Sequence, residues 1–224
     1  EIYTVIAQTD PQRGARGSSA VLVEKGTPGF EFGKKEDKMG IRASATRELI
    51  FQDCRIPKAN LLGKEGMGFM VAMKTFDQSR PGVAAQALGI AQGALDKAVA
   101  YARERHQFGK PVSSFQGLQF LMADMAMQLE AARALTYQVA RNVDAGAKNI
   151  AGISAMAKVL ASDAAMRITT DAVQIYGGYG YMRDYPMEKM MRDAKITQIY
   201  EGTNQIQREI IAMNLIKESM RSER

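Results

Sequence analysis

One unbroken hydrophobic stripe constrains the fold of this chain more than any other feature of its sequence. Between Phe115 and Val143, apolar and weakly polar residues recur at alternating steps of three and four positions. The stripe consists of Phe115, Leu118, Met122, Met125, Leu129, Ala132, Thr136, Val139 and Val143. This spacing places every member on one side of an α-helix, which over this length is a rod of roughly 43 Å. Such a rod must bury that side against other helices.

Three further segments have helical spacing and can supply those neighbours. The first is predicted at residues 66–103, with a disturbance at Pro81 because proline lacks the amide hydrogen for the i−4 carbonyl. The second is predicted at residues 150–176 and the third at residues 204–219. On one side of the third lie Ile206, Ile210, Met213 and Ile216. Four long helices with short connections predict an antiparallel bundle.

The first 62 residues have a different composition, with short β-rich runs and three of the six prolines. Strands are predicted at residues 1–7 and Ser18–Glu24, with a turn at residues 10–14 between them, and a third strand is predicted at residues 48–54. Three or four strands cannot close a barrel by themselves, so this part is expected to belong to a larger β unit. We therefore predict a partial β domain at residues 1–62 and a helical domain at residues 63–224.

Composition excludes several classes of protein. No run of 18 apolar residues occurs, which argues against a membrane-spanning helix. The only cysteine, Cys54, excludes an intramolecular disulfide and fits a reducing compartment, such as a bacterial cytoplasm or a mitochondrial matrix. With one histidine as well, a His/Cys metal cluster is not expected. The net charge of +6 suits an anionic partner, and the phosphates of a small molecule satisfy it as well as nucleic acid does.

Two charged segments interrupt the helical pattern. Asp77 and Arg80 stand three residues apart just before Pro81, either as a surface ion pair or as a polar clamp that meets a ligand. Residues 103–111 gather basic side chains around Phe108 where a helix ends. These charges either complement the helix dipole or, with the aromatic ring, suit a planar cofactor that carries a pyrophosphate.

Two later segments combine glycines with polar residues. Residues 174–181 contain the pair Gly177-Gly178, which either only caps a helix or lets the backbone approach a ligand closely. Glu201 directly precedes the helix predicted at residues 204–219. It either interacts only with the helix dipole or, with little charge around it, acts as a general base.

The start of that last helix also has a capping signal. Thr203 or Asn204 is the expected N-cap residue, because a hydroxyl or amide oxygen can accept from the free backbone amides. Asn204 and Gln207 have the spacing of a capping box.

Together these motifs resemble the acyl-CoA dehydrogenases, in their order and their separations, over essentially the whole chain. The motifs are Tyr200-Glu201-Gly202-Thr203 with Gln205-Ile206-Gln207, Met191-Arg192-Asp193-Ala194-Lys195, and residues 174–178, 105–109 and 76–80. Members of that family are flavoproteins with an N-terminal helical domain, a middle β domain and a C-terminal four-helix bundle. The resemblance implies a mainly α fold, in which an antiparallel four-helix bundle is preceded by part of a β-barrel middle domain.

The resemblance also implies how a substrate would react. Glu201 would be the catalytic base that removes the α-proton of an acyl-CoA thioester while a hydride leaves the β-carbon for the flavin, and the Glu201 backbone amide would donate to the thioester oxygen. Branched-chain and long-chain members place their base on the central helix. The corresponding turn of this chain, residues 77–80, holds no glutamate. This difference favours a short- or medium-chain substrate. The implied substrate contacts are Asp77, Arg80, Tyr200 and Gly202.

FAD is the cofactor that the resemblance implies, and no metal is expected. The implied FAD contacts, some of them across a subunit boundary, are Arg105, Gln107, Phe108, Gln116, Gln174, Ile175, Tyr176, Gly177, Gly178, Thr203 and Gln205. The implied partners are the acyl-CoA, an electron-transfer flavoprotein as electron acceptor, and further copies of the chain in a homotetramer or dimer. Neither nucleic acid nor a membrane is expected as a partner.

Two alternatives stay open from the sequence. A glutaryl-CoA-type dehydrogenase, which also decarboxylates its substrate, would share the same motifs. A non-enzymatic basic helical bundle that binds nucleic acid is compatible with the net charge of +6 and the pI near 9.4. However, the basic residues do not gather on one helix with interleaved aromatic residues, as such a surface would require.

Overall fold

The computed structural model of the chain describes residues 1–222. Two compact units can be distinguished. The first comprises Glu1–Lys38 and Arg42–Phe76, and the second comprises Met39–Ile41 and the residues from Asp77 onward. The first unit is built mainly of β-strands and the second mainly of α-helices.

Five strands occur in the first unit. They are β1 (Ile2–Gln8), β2 (Ser18–Glu24), β3 (Phe30–Lys35), β4 (Arg47–Phe51) and β5 (Leu61–Leu62). The central strand β2 pairs antiparallel with β1 and β5, and β3 pairs antiparallel with β4.

The structure confirms the first two predicted strands and shortens the third. That strand, β4, ends at Phe51 rather than at Cys54, and Asp53 then has a positive φ of 49°, which no strand residue adopts. Strands β3 and β5 were not predicted. The alternation in Phe30-Glu31-Phe32 indicates β3, because Phe30 is buried while Glu31 points outward.

The second unit is formed by long helices. They are α1 (Gly68–Glu104), which begins in the first unit, α2 (Gln116–Asp144), α3 (Ala151–Tyr176), the short α4 (Met187–Lys195) and α5 (Asn204–Ser222). The four predicted helices are confirmed, whereas α4 was not predicted. The helix α1 runs through Pro81 as one continuous element, so the expected disturbance at this proline does not break it.

Helix α2 buries the predicted stripe in the core of the second unit. Met125, Leu129, Ala132, Thr136 and Val139 are all buried there. Helix α1 contributes small side chains to the same core, among which Ala84, Ala87 and Ala91 are fully buried. The fold is therefore mainly α, with a helical bundle that follows a smaller β part.

Helix α5 presents a different face to the core than its apolar residues indicate. Asn204 and Gln207 are buried, and Asn214 lies against Gly152 of α3. The predicted apolar side is largely exposed within the single chain, with Ile206 and Met213 each 49% exposed. Polar contacts rather than apolar ones therefore attach the start of α5 to α3.

No helix among residues 1–222 combines the length and the apolar character needed to cross a membrane.

Candidate active site

The turn that carries Glu201 has a backbone conformation that is rare outside glycine. A single 3-10 turn at Ile196–Gln198 precedes it and α5 follows. Glu201 has a φ of +51° and Gly202 a φ of +94°. The left-handed region costs a non-glycine residue about 1–2 kcal/mol, and such residues persist where surrounding contacts hold them in place.

A hydroxyl group from α1 holds the carboxylate of Glu201. Ser79 Oγ donates to Glu201 Oε2 at 2.6 Å, and this bond joins residues 122 positions apart in the chain. Ser79 and Glu201 are both half-buried. The bond fixes the direction in which the carboxylate points.

Two buried side chains support the backbone of the same turn. Lys158 Nζ, from α3, donates to the carbonyl oxygen of Gly202 at 2.9 Å and to Asn204 Oδ1 at 2.8 Å. Gln207 Nε2, from α5, donates to the carbonyls of Glu201 at 3.0 Å and Gly202 at 3.2 Å. Both side chains are fully buried. The carbonyl of Gly202 therefore accepts from both α3 and α5.

These contacts correct the predicted capping box. Thr203 is the residue that caps α5, because its hydroxyl accepts from the amide of Ile206 at 3.4 Å. The side chain of Asn204 is used instead in the contacts with α3, and that of Gln207 reaches the carbonyls of the preceding turn. A capping box requires the third residue to return to the N-cap amide, which Gln207 does not do.

Asp163 of α3 is the second anchor of this region. Its Oδ1 accepts from Asn204 Nδ2 and from Gln198 Nε2, each at 2.7 Å. Its Oδ2 accepts from Arg208 at 2.6 Å. Ser162 Oγ accepts a further bond from Asn204 Nδ2 at 2.9 Å. The residues on both sides of the turn are thus attached to α3.

Burial has a strong electrostatic effect on Lys158. It lowers the pKa of this ammonium group from 10.5 to about 8, since the charged form loses its hydration. The carboxylates of Asp163 and Glu201 act in the opposite direction, and the guanidinium of Arg80 lowers the pKa further. Lys158 thus stands among the charged groups of the site rather than in a purely apolar core.

Asp77 and Arg80 form an ion pair in which Arg80 is buried and Asp77 is half-buried, so the pair is not fully exposed at the surface. Arg80 Nη1 lies 2.7 Å from Asp77 Oδ1, and the Arg80 side chain is only 4% exposed. Ser154 Oγ of α3 donates to the backbone carbonyl of Asp77 at 2.7 Å. Arg80 Nε is buried without a hydrogen-bond partner within the described residues, which leaves one donor of a buried cation unused.

Tyr200, directly before Glu201, is oriented by α1. Its hydroxyl donates to the side-chain oxygen of Gln86. Burial raises the pKa of Tyr200, and the nearby carboxylate of Glu201 raises it further. The phenol therefore stays protonated and keeps this side of the turn in place.

Six of the predicted cofactor residues line one cavity of about 550 Å³ in the second unit. They are Arg105, Gln107, Ile175, Tyr176, Gly177 and Gly178. Tyr176 stacks on Tyr101 with ring centroids 4.0 Å apart, and the Arg105 guanidinium lies 5.5 Å from the centre of the Tyr179 ring. The cavity thus combines aromatic faces, one cation and glycine backbone.

Phe108 lies at the tip of a hairpin that was not predicted. Strands β6 (His106–Gln107) and β7 (Lys110–Pro111) pair antiparallel, and both turn residues have positive φ, +53° at Phe108 and +78° at Gly109. Two consecutive positive φ values are typical of a tight hairpin turn. The Phe108 side chain is 90% exposed, which is unusual for a large apolar residue held in a defined conformation.

The remaining predicted cofactor residues lie elsewhere. Thr203 and Gln205 line a separate polar cavity of about 430 Å³, together with Asp163 and Arg208. Gln116 and Gln174 are exposed.

The sequence interpretation assigned no role to Ser79, Lys158 or Asp163. A signal for Lys158 was present, because it is the only charged residue among positions 151–162, in a run rich in alanine. A charged residue on a helix face that is otherwise buried indicates a specific partner. Ser79 carried no comparable signal. No cluster of potential metal ligands occurs among the residues that the structure describes.

Comparison with known proteins assigns the chain to a family. Residues 66–216 match the family model described as acyl-CoA dehydrogenase, C-terminal domain, and residues 1–54 match the acyl-CoA dehydrogenase middle domain. The chain belongs to the acyl-CoA dehydrogenase family, whose members are flavin-dependent oxidoreductases.

Individual proteins of known name are similar over nearly the whole chain. The acryloyl-CoA reductase (NADH) of Anaerotignum propionicum is 56% identical over 216 residues, which cover 96% of this chain and 55% of the reductase. The structure of butyryl-CoA dehydrogenase from Megasphaera elsdenii is 55% identical with a TM-score of 0.94, over 96% of this chain and 56% of that one. A structure described as an electron transferring flavoprotein of Acidaminococcus fermentans is 60% identical with a TM-score of 0.94, over the same shares. The chain therefore spans about half the length of the relatives it matches.

Proposed function

We propose that the full-length protein is an FAD-dependent acyl-CoA dehydrogenase that introduces a double bond between the α- and β-carbons of a short- or medium-chain acyl-CoA. The observation that carries the proposal is the Glu201 carboxylate, which stands on a left-handed turn and accepts a hydrogen bond from Ser79 at 2.6 Å. A carboxylate with a fixed direction is the arrangement that proton abstraction from carbon requires.

Glu201 acts as the base in this proposal. Its carboxylate takes the α-proton of the thioester, and its backbone amide donates to the thioester oxygen as negative charge develops there. A donor of this kind is typically worth about 3 kcal/mol in the transition state. Bound FAD would supply the acceptor for the hydride that leaves the β-carbon.

The remaining substrate contacts follow from the positions of four residues. Tyr200 and Gly202 flank the base and would line the thioester. Gly202 leaves room because it has no side chain. Asp77 and Arg80 would meet the CoA portion, and the unused Nε donor of buried Arg80 is available for a polar partner. A short acyl chain is supported by the similarity to a protein named butyryl-CoA dehydrogenase.

The residues around the 550 Å³ cavity fit a flavin dinucleotide. Phosphates suit the guanidinium of Arg105, a planar ring suits the aromatic faces, and the open space around Gly177 and Gly178 lets the backbone approach closely. The exposed ring of Phe108 supplies a further apolar surface. The residues proposed to hold FAD are Arg105, Gln107, Phe108, Gln116, Gln174, Ile175, Tyr176, Gly177, Gly178, Thr203 and Gln205.

Assembly, electron acceptor and domain division belong to the same proposal. The protein would form a homotetramer or dimer. It would pass its electrons to an electron-transfer flavoprotein, as the resemblance to the family implies. Residues 1–62 would be part of the middle β domain and residues 63–224 the C-terminal bundle.

A second candidate function is the reverse reaction, the reduction of a 2-enoyl-CoA such as acryloyl-CoA. The observation that favours it is the 56% identity to a protein named acryloyl-CoA reductase (NADH). Glu201 would then return a proton to the α-carbon. Comparing NADH-dependent reduction of acryloyl-CoA with oxidation of butyryl-CoA by the same preparation distinguishes the two directions.

Substitution of Glu201 by glutamine in the full-length protein tests the proposal. Glutamine keeps the size of the side chain but cannot accept the proton, so reduction of the flavin by acyl-CoA should become about 10²–10⁴-fold slower while the flavin stays bound. The flavin absorbance after anaerobic mixing with butyryl-CoA measures this rate. Glu209→Gln, at an exposed position of α5, is the matched control and should react like the wild type. A Glu201→Gln variant that reduces its flavin at the wild-type rate refutes the assignment.

A further inference from the structure

We propose that Lys158 is a positioning residue for the base, because it holds the backbone of the turn that presents Glu201. This inference rests on the proposed function, since it concerns how the same carboxylate is aimed. Lys158 is not placed in contact with substrate or cofactor, and it acts through the main chain.

The hydrogen bonds of Lys158 end on the residues that follow Glu201. Its Nζ donates to the carbonyl of Gly202 at 2.9 Å and to the side chain of Asn204 at 2.8 Å, across 44 and 46 positions of sequence. An ammonium group has three donors and no acceptor, so two of the three are used on this one junction. Lys158 therefore ties the core helix α3 to the link between the base and α5.

The backbone at this junction depends on outside contacts. Two consecutive residues, Glu201 and Gly202, have positive φ values of 51° and 94°. Such conformations are kept only where the surroundings determine them. Gln207 holds the two carbonyls from the side of α5, and Lys158 is the contact that reaches the same Gly202 carbonyl from α3.

Burying a lysine completely costs free energy of folding, which indicates a specific reason for its presence. Lys158 is 0% exposed, and an apolar side chain of similar size would avoid the cost of removing a charge from water. The charged groups that face it are the carboxylates of Asp163 and Glu201 and the guanidinium of Arg80. The two carboxylates stabilise the ammonium in its place, and the bond to a backbone carbonyl is one that an apolar side chain cannot make.

The expected consequence is a loss of rate without a comparable loss of binding. A displacement of the reacting group by about 1 Å can cost roughly 10²-fold in rate. Lys158→Met removes both hydrogen bonds and keeps the length of the side chain. The rate constant for flavin reduction at saturating butyryl-CoA should therefore fall roughly 10- to 100-fold, whereas the apparent dissociation constant for butyryl-CoA should change less than about threefold.

A second measurement on the same proteins does not depend on catalysis. Hydrogen exchange of the amides at residues 199–204 should become roughly tenfold faster in Lys158→Met, because one tertiary hydrogen bond of the turn is lost. Lys217→Met, at an exposed position of α5, is the matched control and should leave both the rate and the exchange unchanged. Lys158→Gln, which retains a donor, should restore part of each and replaces the methionine variant if the latter does not fold.

The outcomes separate this inference from the proposed function. If exchange at residues 199–204 is unchanged in the Lys158 variants, the positioning role is wrong, whatever the enzyme does. If exchange rises but the rate of flavin reduction stays at the wild-type value, the turn is held by Lys158 without positioning the base, and the inference is overturned as well. If no short- or medium-chain acyl-CoA reduces the flavin of the wild-type protein, the proposed function is refuted, and with it the role of Lys158 in aiming a base. Faster exchange at residues 199–204 in the Lys158 variants would still show that Lys158 holds the turn.

Discussion

Replacing Gly202 with alanine would place a methyl group where the amide of Gln207 now lies. The added Cβ would be 2.5 Å from Gln207 Nε2, far inside the van der Waals distance. The backbone at Gly202 also has a φ of +94°, which an L side chain rarely adopts. The substitution therefore combines backbone strain with a steric clash directly beside the proposed base.

The size of the effect can be worked out from these two terms. Backbone strain costs about 1–2 kcal/mol, from which the lower conformational freedom of unfolded alanine subtracts about 0.4–1 kcal/mol. Displacing Gln207 breaks its two hydrogen bonds, to the carbonyls of Glu201 and Gly202, at about 1 kcal/mol each. The expected loss in the free energy of unfolding is about 2–3 kcal/mol, which lowers the Tm by about 5–10 °C for a domain of this size.

Two matched glycine substitutions separate strain from clash. Gly146 has a φ of +64°, but nothing lies within 4 Å of a Cβ there, so Gly146→Ala adds strain only and should cost about 1 kcal/mol or less. Gly117, in the first turn of α2, has neither strain nor a close neighbour, so Gly117→Ala should be neutral or slightly stabilising. Thermal and urea unfolding, followed by circular dichroism, measure all three.

The order of the three variants is the decisive result. The reasoning requires that Gly202→Ala be clearly less stable than Gly146→Ala, because only the first displaces a buried side chain. Equal losses in the two variants would mean that Gln207 does not hold the turn as described. A stability of Gly202→Ala equal to that of Gly117→Ala would mean that even the positive φ of Gly202 carries no cost.

Two further predictions concern stability. The pKa of Lys158 is lowered by burial from 10.5 to about 8, so between these pH values the unfolded chain binds the proton more tightly and stability due to this group rises with pH, by at most about 3 kcal/mol. The free energy of unfolding, measured in urea at pH 7 and pH 10, should therefore change in favour of the wild type relative to Lys158→Met as the pH is raised. A difference between the two proteins that stays constant would contradict the lowered pKa. Because Leu129 is only 1% exposed in the core, Leu129→Ala should lower the free energy of unfolding by about 2–5 kcal/mol. The neighbouring Glu130→Ala, which removes an exposed ion pair with Arg133, should cost less than about 0.5 kcal/mol in the same unfolding assay, and similar losses for both would contradict the assigned core.

Much of the helical part could be predicted because its signals are local. The stripe from Phe115 to Val143 repeats every three to four residues, and the structure buries its central members. The end of α3 at Tyr176 is likewise predicted by the glycine that follows it, which adopts a positive φ of 60°. Local signals fail where charge and apolar residues mix over a short length, as in α4, whose nine residues include five charged ones.

The site could be predicted only as a set of separate motifs. The segment Tyr200-Glu201-Gly202-Thr203 and its resemblance to a known family indicated Glu201 without any structural information. Its supporting contacts could not be predicted, because Ser79 lies 122 positions away from Glu201 and Lys158 lies 44 positions away from Gly202.

The sequence alone therefore determined where the long helices lie, which residues of α2 face the core, and which family the chain resembles. Only the tertiary structure decided that Arg80 is buried in its ion pair with Asp77, that Phe108 stands exposed on a hairpin, and that Lys158 supports the turn after Glu201. The physical reason is the range of the interactions. Helical periodicity depends on neighbours within one turn of the chain, whereas burial and long-range hydrogen bonds depend on how α1, α3 and α5 pack against one another.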